Sequence, residues 1–422
     1  MVIYLKVRII QSCKVSTTIL FSIIILIKFM SSQLVLSNVF GYIGLVVIFI
    51  QVIFGSRHIF KYFTRDNVKM NKIHKYLGIY GTVFALAHPI EAMYSQMADW
   101  AWIYMLNFSY NRELYISLGR IALFALLFVW TTSAIVREQM KWKPWKYIHL
   151  LSYPLFVLVW IHAISIGTWA NEYVLVKALL IIMMVTFVLV IVRRVLSFAG
   201  LFKLRYRIKS IENVAGETLL LTLMPSCTPN KYNESLVIPN NLKIEIGQHM
   251  YLQLDNFRSE HPFTVMEQGV NGELTFAIRN TNGFANDLLC KLTGEEIYLD
   301  GPYGVFTKEA QNADKKVIIS GGVGVTPFVD LVKSYGGENT LYINCNRSEE
   351  SAIRRDFIKS HVGKYADIYN NLDATQIQNI VPNLFDYKYF ICGSPKMVSS
   401  IKSMLLNLNI KKESIYYEEL GF

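Results

Sequence analysis

Up to about residue 198 the chain is built from long runs of Ile, Leu, Val and Phe; beyond it, short stretches alternate apolar and polar residues. The first pattern suits a bilayer, whose hydrocarbon core of about 30 Å is crossed by about 20 apolar residues in a helix. It predicts six spans, near 16–31, 36–54, 75–95, 114–136, 147–167 and 172–192. Lys28 sits near the far end of the first and has to snorkel. No polar cleavage region follows that span, so an uncleaved helix is expected rather than a removed leader. In the second pattern, residues 203–213, 217–225, 248–256, 261–268, 273–280 and 295–304 read as strands of a small antiparallel barrel. Residues 315–335 then read as strand, glycine loop and helix. Further strands follow near 339–347, 366–371, 387–395 and 414–420, which predicts a doubly wound α/β parallel sheet. The expected domains are 1–200, 203–308 and 314–422.

Charge adds an orientation. The 42 Lys and Arg against 31 Asp and Glu leave +11. The cations cluster before the first span, between the second and third, between the fourth and fifth, and after the sixth. Those loops share one side, so a multi-pass cell-membrane protein with both termini cytoplasmic is expected. The excess is thereby explained by topology and anionic lipid heads, and nucleic-acid binding is excluded as a reading. Cys13, Cys227, Cys290, Cys345 and Cys392 form no Cys-x-x-Cys pair and no disulfide framework.

Four histidines stand out. His74 and His88 lie on the third expected span, and His149 and His162 on the fifth. A lone histidine in a membrane is usually a satisfied polar contact, but two segments with a pair each can hold two haem irons between them. Fourteen residues correspond to about 21 Å of rise and a return to within roughly 40° of one helix face. Thirteen residues give about 20 Å but roughly 140° off-face in an ideal helix. Pro154 lies between that pair and is expected to bend the helix. His58, in a basic loop, is expected to be solvated or lipid-facing. Phe156, between His149 and His162, either fills the gap between the haems or faces lipid. Trp100, Trp102 and Tyr104 read as interface aromatics or as a cap on the outer haem.

In the soluble half, Gly321-Gly322-Val323-Gly324-Val325-Thr326-Pro327 follows a buried-looking strand, where glycines let a backbone approach a pyrophosphate. His261-Pro262-Phe263-Thr264, Gly301-Pro302-Tyr303-Gly304, this glycine loop, Cys392-Gly393-Ser394-Pro395 and a final aromatic Phe422 occur in that order along the chain. The set resembles the ferredoxin-reductase-type flavoprotein module, and His261 with the histidine spacings resembles the membrane-bound NADPH oxidase and ferric reductase family, in its compact bacterial form. The resemblance covers about residues 36–422.

It implies FAD, two haems b and NADPH (or NADH) as donor. His74 and His149 would bind the inner haem, His88 and His162 the outer one. His261, Pro262, Phe263 and Thr264 would lie along the flavin, with Phe263 on the ring system and Thr264 near its reactive nitrogen. Arg279 and Gly283 would hold the FAD pyrophosphate. Gly321, Gly322, Gly324, Thr326 and Pro327 would cradle the dinucleotide, Arg347 its 2′-phosphate, with Glu349 and Glu350 favouring plain ribose instead. Cys392, Gly393 and Pro395 would approach the nicotinamide, and Phe422 would stack on the flavin. The implied activity moves electrons from cytosolic NADPH across the bilayer to O2, giving superoxide. Alternatives are a ferric-chelate reductase and an electron-relay subunit. A transporter or receptor with a nucleotide-binding domain is disfavoured, because apart from Glu91 near one membrane edge and Glu172 at the start of the sixth, the spans lack carboxylates. No calcium-binding loop or docking segment for an obligate protein partner is visible, so constitutive activity is expected.

Overall fold

The computed structural model describes residues 35–61, 63–214, 217–226, 243–269, 271–280 and 283–420. The expected span at 16–31 and Phe422 lie outside the described residues. The chain splits into two compact units, Met1–Phe60 with Val68–Val192, and Lys61–Asn67 with Arg193–Phe422.

The first unit is helical: α1 (Val35–Phe54), α2 (Asn67–Ser95), α3 (Asn111–Ala134), α4 (Trp142–Leu150), α5 (Ser152–Ile166) and α6 (Val174–Phe198). Among the described residues, four stretches are long and apolar enough to cross a membrane, not six: Leu36–Phe54, Asn111–Ala134, Trp142–Ile166 and Val174–Phe198. The expected span at 75–95 lies within α2, which is long enough, but Tyr76, Tyr80, His88 and Glu91 dilute its apolar content. α6 exposes Ile181, Ile182, Val185, Val188, Leu189 and Val192. That spacing is one helical face, left apolar and unpacked as a lipid-solvated surface would be. On the inner side Leu45, Ile48 and Val52 of α1 meet Ala122 of α3, Leu155 and Phe156 of α5, and Leu180 and Phe187 of α6. Phe156 is thus a core residue, fully buried with its ring 4.7 Å from Phe187, and it does not face lipid. His58 is also buried, against the expectation of a solvated side chain.

The break between α4 and α5 falls at Leu151, three residues before Pro154. Proline lacks the N–H that would bond to the carbonyl four residues back, and its ring clashes there. The carbonyl concerned is that of Leu150, the last residue of α4. Leu151 closes the turn by donating its N–H to Ile148 at 3.0 Å, a tighter spacing that shifts the phase of the following helix.

The second unit carries the barrel and sheet that the alternation predicts. β1 (Leu204–Val214), β2 (Thr218–Pro225), β3 (His249–Gln253), β4 (His261–Gln268), β5 (Leu274–Arg279) and β6 (Glu296–Tyr303) close in the order β1-β2-β5-β4-β3-β6, every pair antiparallel. Alternate residues point inward, so Ile208, Leu221, Leu252, Val265 and Phe276 share one core. Then β7 (Lys316–Gly321), β8 (Gly337–Cys345), β9 (Val362–Ile368), β10 (Lys388–Gly393) and β11 (Ile415–Glu419) form a parallel sheet in the order β11-β10-β7-β8-β9. Ile318, Tyr342 and Phe390 pack on one face, and Val317, Ile343 and Tyr389 on the other. Both faces are therefore covered, as an all-parallel sheet requires. The order reverses between β7 and β10, and open sheets of this kind take ligands beyond the strands' carboxyl ends at that point.

Candidate functional site: two histidine pairs and a nucleotide cleft

α2 is continuous across His74 and His88, so these two rings stand about 21 Å apart along it. On the neighbouring segment, the break at Leu151 supplies the phase change that thirteen residues alone lack. His149 ends up opposite His74, and His162 opposite His88. In both pairs the ring centroids are 6.0 Å apart, with interplanar angles of 63° and 81°. A metal–nitrogen bond of about 2 Å on each side of one iron places two imidazole centroids roughly 6 Å apart. The pairs therefore fit an iron held axially from both sides.

Tautomers fit as well. His88 Nδ1 donates to the Ser37 carbonyl at 2.8 Å, and His162 Nδ1 to the Tyr115 carbonyl at 2.9 Å. A carbonyl only accepts, so Nδ1 carries the proton and Nε2 keeps its lone pair for a metal. His149 Nδ1 lies 3.1 Å from the Ser133 hydroxyl. His74 Nδ1 is buried without a hydrogen-bond partner.

Small residues make the room. A Cβ on Gly119 would stand 2.6 Å from His162 Nδ1, and one on Gly41 would stand 2.9 Å from His88 Nδ1. Around the second pair a cavity is lined by Gly41, Gly44, Ala85, Gly119 and Ala122 besides the two histidines. Among the described residues no group of three or more His, Cys, Asp or Glu could hold a metal ion. Two ligands per site suit a metal that brings its other donors with it, as haem does. Arg120 lines the same cavity. It went unremarked in the sequence, although a single arginine inside an expected span is itself a signal.

In the barrel, His261, Phe263 and Gly283 converge. Gly283 opens α7 (Gly283–Leu289), whose Phe284 ring sits 4.9 Å from His261 and 5.0 Å from Phe263. Phe263 belongs to the barrel core, Pro262 is exposed, and Thr264 is buried. Arg279 ends β5 and pairs with Glu217 at 3.8 Å, so this cation already has a partial counter-charge.

At the carboxyl ends of the sheet the three glycines separate. Gly321-to-Pro327 does not open directly into an α-helix; Gly322–Phe328 is 3-10, and α8 (Val329–Tyr335) begins after it. A Cβ on Gly324 would collide with the Cys392 carbonyl, and one on Gly321 with Met397 Sδ. Those two glycines serve close packing. Gly322 alone has φ of +55° and open space where a Cβ would be, although its N–H is taken by Asn346 Oδ1 at 3.1 Å. Thr326 is buried and donates to the Val323 carbonyl, and Pro327 is buried beside it. Gly393 closes β10, and Pro395 opens α9 (Pro395–Asn407).

Cys392 is fully buried, and burial with the nearby Glu418 pushes its thiol well above the usual range. Glu418 is its register partner on β11, another residue the sequence did not single out. Its Oε2 is buried without a hydrogen-bond partner, and burial raises the carboxyl to about 7. Arg347 is exposed just past β8, while Arg355 is held by Glu349 at 2.6 Å and Asp367 at 2.8 Å.

Residues 40–160 match the family described as ferric reductase like transmembrane component, and residues 235–326 match an FAD-binding domain. The chain has the architecture of the NADPH oxidases and ferric reductases. A helical membrane component, an FAD-binding barrel and a nucleotide-binding sheet follow one another in this ferric-reductase-like chain. It is similar to the flavohemoprotein of Bacillus subtilis (24% identical over 152 residues, 30% of this chain and 38% of that protein). It is also similar to the flavohemoprotein of Rhizobium meliloti (25% over 219 residues, 46% and 52%). The chain thus spans about half or less of the length of these curated relatives. Among solved structures, the FAD/NAD-binding domain of a Vibrio cholerae nitric oxide dioxygenase aligns at 17% identity and a TM-score of 0.42, covering 52% of this chain and 99% of that one.

Proposed function

We propose that this chain is an NAD(P)H-dependent transmembrane oxidoreductase delivering single electrons to an acceptor beyond the membrane, with O2 giving superoxide. When bound, FAD would split a hydride's electron pair into single electrons and two haems b would carry them across, chemistry that side chains do not supply. The observation carrying this reading is the meeting of four histidines in two pairs, each with centroids 6.0 Å apart.

His74 and His149 would hold the cytoplasm-side haem, and His88 and His162 the outer one, each iron with two protein ligands. Domains 1–200, 203–308 and 314–422 divide the work, with both termini cytoplasmic. His261, Pro262, Phe263 and Thr264 would line the flavin, while Arg279 and the start of α7 at Gly283 would hold its pyrophosphate. Gly322 leaves space for the nucleotide; Gly321, Gly324, Thr326 and Pro327 build the turn that presents it. Cys392 stays a neutral thiol because of its burial, so it serves with Gly393 and Pro395 as a shaped wall for the nicotinamide, not as a nucleophile. Phe422 would cover the flavin. Because Glu349 is engaged by Arg355, Arg347 stands as the exposed cation for a 2′-phosphate, which favours NADPH.

The test is NADPH-driven reduction of cytochrome c by the purified, FAD-loaded protein, with and without superoxide dismutase. Loss of the signal with dismutase supports the oxidase reading. A signal that dismutase leaves intact overturns it and moves a ferric chelate, assayed next, to first place.

A further inference from the structure

The end of α6 belongs to the second unit and is clasped by the loop that follows β3. Phe257 donates its N–H to the Phe198 carbonyl at 2.8 Å, and Gln253 Nε2 donates to the same carbonyl at 3.0 Å. Gly200, with φ of +81°, lies so near this loop that a Cβ there would stand 2.6 Å from Asn256 Oδ1. The segments 198–202 and 253–257 therefore make one surface. Leu201, Phe202 and Phe257 are exposed on it, Phe257 to 71%.

Two of these residues hold a backbone conformation that favours glycine. Phe202 has φ of +64° and Phe257 of +60°. In that region a Cβ crowds the backbone, and a bulky residue there is uncommon. Packing into the barrel does not compensate, since both side chains are exposed. A large apolar ring left in water adds a second unfavourable term, which an apolar layer would remove.

The position of the surface names the layer. Arg193 and Arg194 mark where the last span leaves the hydrocarbon. Phe198 lies five residues past Arg193, about 7 Å along the helix axis. The headgroup layer outside the hydrocarbon is about 5–7 Å thick on each side. Phe257, bonded to Phe198, stands at that depth. The exposed apolar face of α6 continues towards it through Val192 and Val195. Arg193 lies over the Phe202 ring, 4.2 Å from its centroid, and Arg205 is exposed nearby in the chain. The carboxylates around the surface each face a cation: Asp255 pairs with Lys291 at 2.8 Å, Glu260 with Lys203, and Asp287 with Arg258 at 4.0 Å. Lipid phosphates therefore meet no uncompensated negative charge there.

We propose that Phe202 and Phe257 form a second membrane contact, made by the flavin-binding unit itself, with both rings set into the boundary between headgroups and acyl chains. The occupant is lipid, because the patch continues the lipid-facing side of α6 and carries the aromatic and cationic side chains that such boundaries select. The contact holds the barrel against the bilayer where α6 enters it, so the barrel does not swing freely about the 199–202 link. It requires no haem, flavin or electron acceptor.

The test uses the full chain in nanodiscs of phosphatidylcholine and phosphatidylglycerol, spin-labelled at one introduced cysteine at a time. Phe257→Cys reads the patch directly, and Leu201→Cys reads it with both phenylalanines in place. Phe385→Cys is the control, at an exposed phenylalanine of the nucleotide-binding sheet (73%). All carry Cys290→Ser, because Cys290 is exposed, and the Cys290→Ser chain alone supplies the blank. Collisions of the label with oxygen, which concentrates in lipid, are compared with collisions with a water-soluble nickel chelate. At 257 and 201 the expected result is frequent collision with oxygen and little with nickel, reversed at 385. Adding Phe202→Ser and Phe257→Ser to the Leu201→Cys chain shifts its label towards nickel. Nickel collision at 257 and 201 as frequent as at 385 overturns the inference. Infrequent collision with both reagents also overturns it, since protein, such as a second copy of this chain, then covers the patch. An unmoved label in the double serine variant overturns it as well, because α6 alone then sets the depth.

Discussion

The two histidine pairs share a centroid separation of 6.0 Å but are secured differently. In the outer pair, His88 and His162 both donate Nδ1 to backbone carbonyls, and a glycine faces each ring. In the inner pair, His149 has a serine hydroxyl at 3.1 Å, His74 Nδ1 has no partner, and Trp145 stacks on His149 at 5.0 Å. Backbone carbonyls belong to the helices themselves and move only with them. A hydroxyl rotates. Both rings of the His88/His162 pair are accordingly tied to backbone carbonyls, whereas His149 meets a side-chain hydroxyl.

The largest expected effect leaves both sites equal. His88→Ala or His74→Ala would remove one of the proposed haem ligands, and transmembrane reduction is expected to fall by at least about 100-fold while NADPH-to-dye reduction through FAD persists. A His88→Ala protein with two haems and full activity breaks the assignment. The next effect separates the sites. Gly119→Ala brings a Cβ against His162 and lowers outer-haem affinity by roughly 10–100-fold, the usual scale for disturbing a ligand's support. Gly55→Ala, whose Cβ stays 3.6 Å from His74, leaves inner-haem content unchanged. Haem titration of the two variants checks the contrast.

A smaller effect should follow from the hydroxyls. Ser133→Ala removes the partner of His149 Nδ1 and costs about 1 kcal/mol, roughly fivefold in inner-haem affinity. Ser37→Ala costs the outer haem nothing measurable, because His88 Nδ1 is bonded to the Ser37 carbonyl rather than depending on its hydroxyl. Equal losses in both variants would erase the distinction between the sites.

An effect on stability rather than on haem affinity lies in the soluble half, where Glu418 Oε2 also lacks a partner. Its folded pKa is raised to about 7 from an ordinary 4.5, so the folded state holds a proton that the unfolded chain has released. The resulting stability is full below about 4.5, declines as pH rises, and is lost above about 7. Glu418→Gln should flatten that dependence of the unfolding midpoint across this window. A wild-type midpoint independent of pH there would show that the carboxyl is ionised in the fold.

Much of the fold was legible because its signals are periodic. Alternation in residues such as Leu204–Lys209 marked the barrel, and Val317–Ile319 marked a strand covered on both faces. The histidine pairing was legible in spacing but not in angle. The roughly 140° discrepancy was resolved only by where Pro154 ended α4, and no sequence window reports a helix's phase after a break. Arg120 was hidden by its apolar neighbours, which dominate any hydropathy reading. The glycines of residues 321–324 looked alike in sequence, yet two serve packing and one opens on free space. That distinction depends on Met397 and the end of β10, which are distant in the chain. α2 misled in the opposite direction, since its tyrosines, histidines and Glu91 make it less apolar than its neighbours.

The interruption at Leu151 makes His149 and His162 passengers on separate rods. A change in length or rotation on the short rod re-aims His149 alone, whereas any such change in α2 re-aims both of its histidines together. Selection acting on α4 can therefore reshape the His74/His149 pair without disturbing the His88/His162 pair, and the difference between the two pairs becomes a quantity that evolution can adjust from one end.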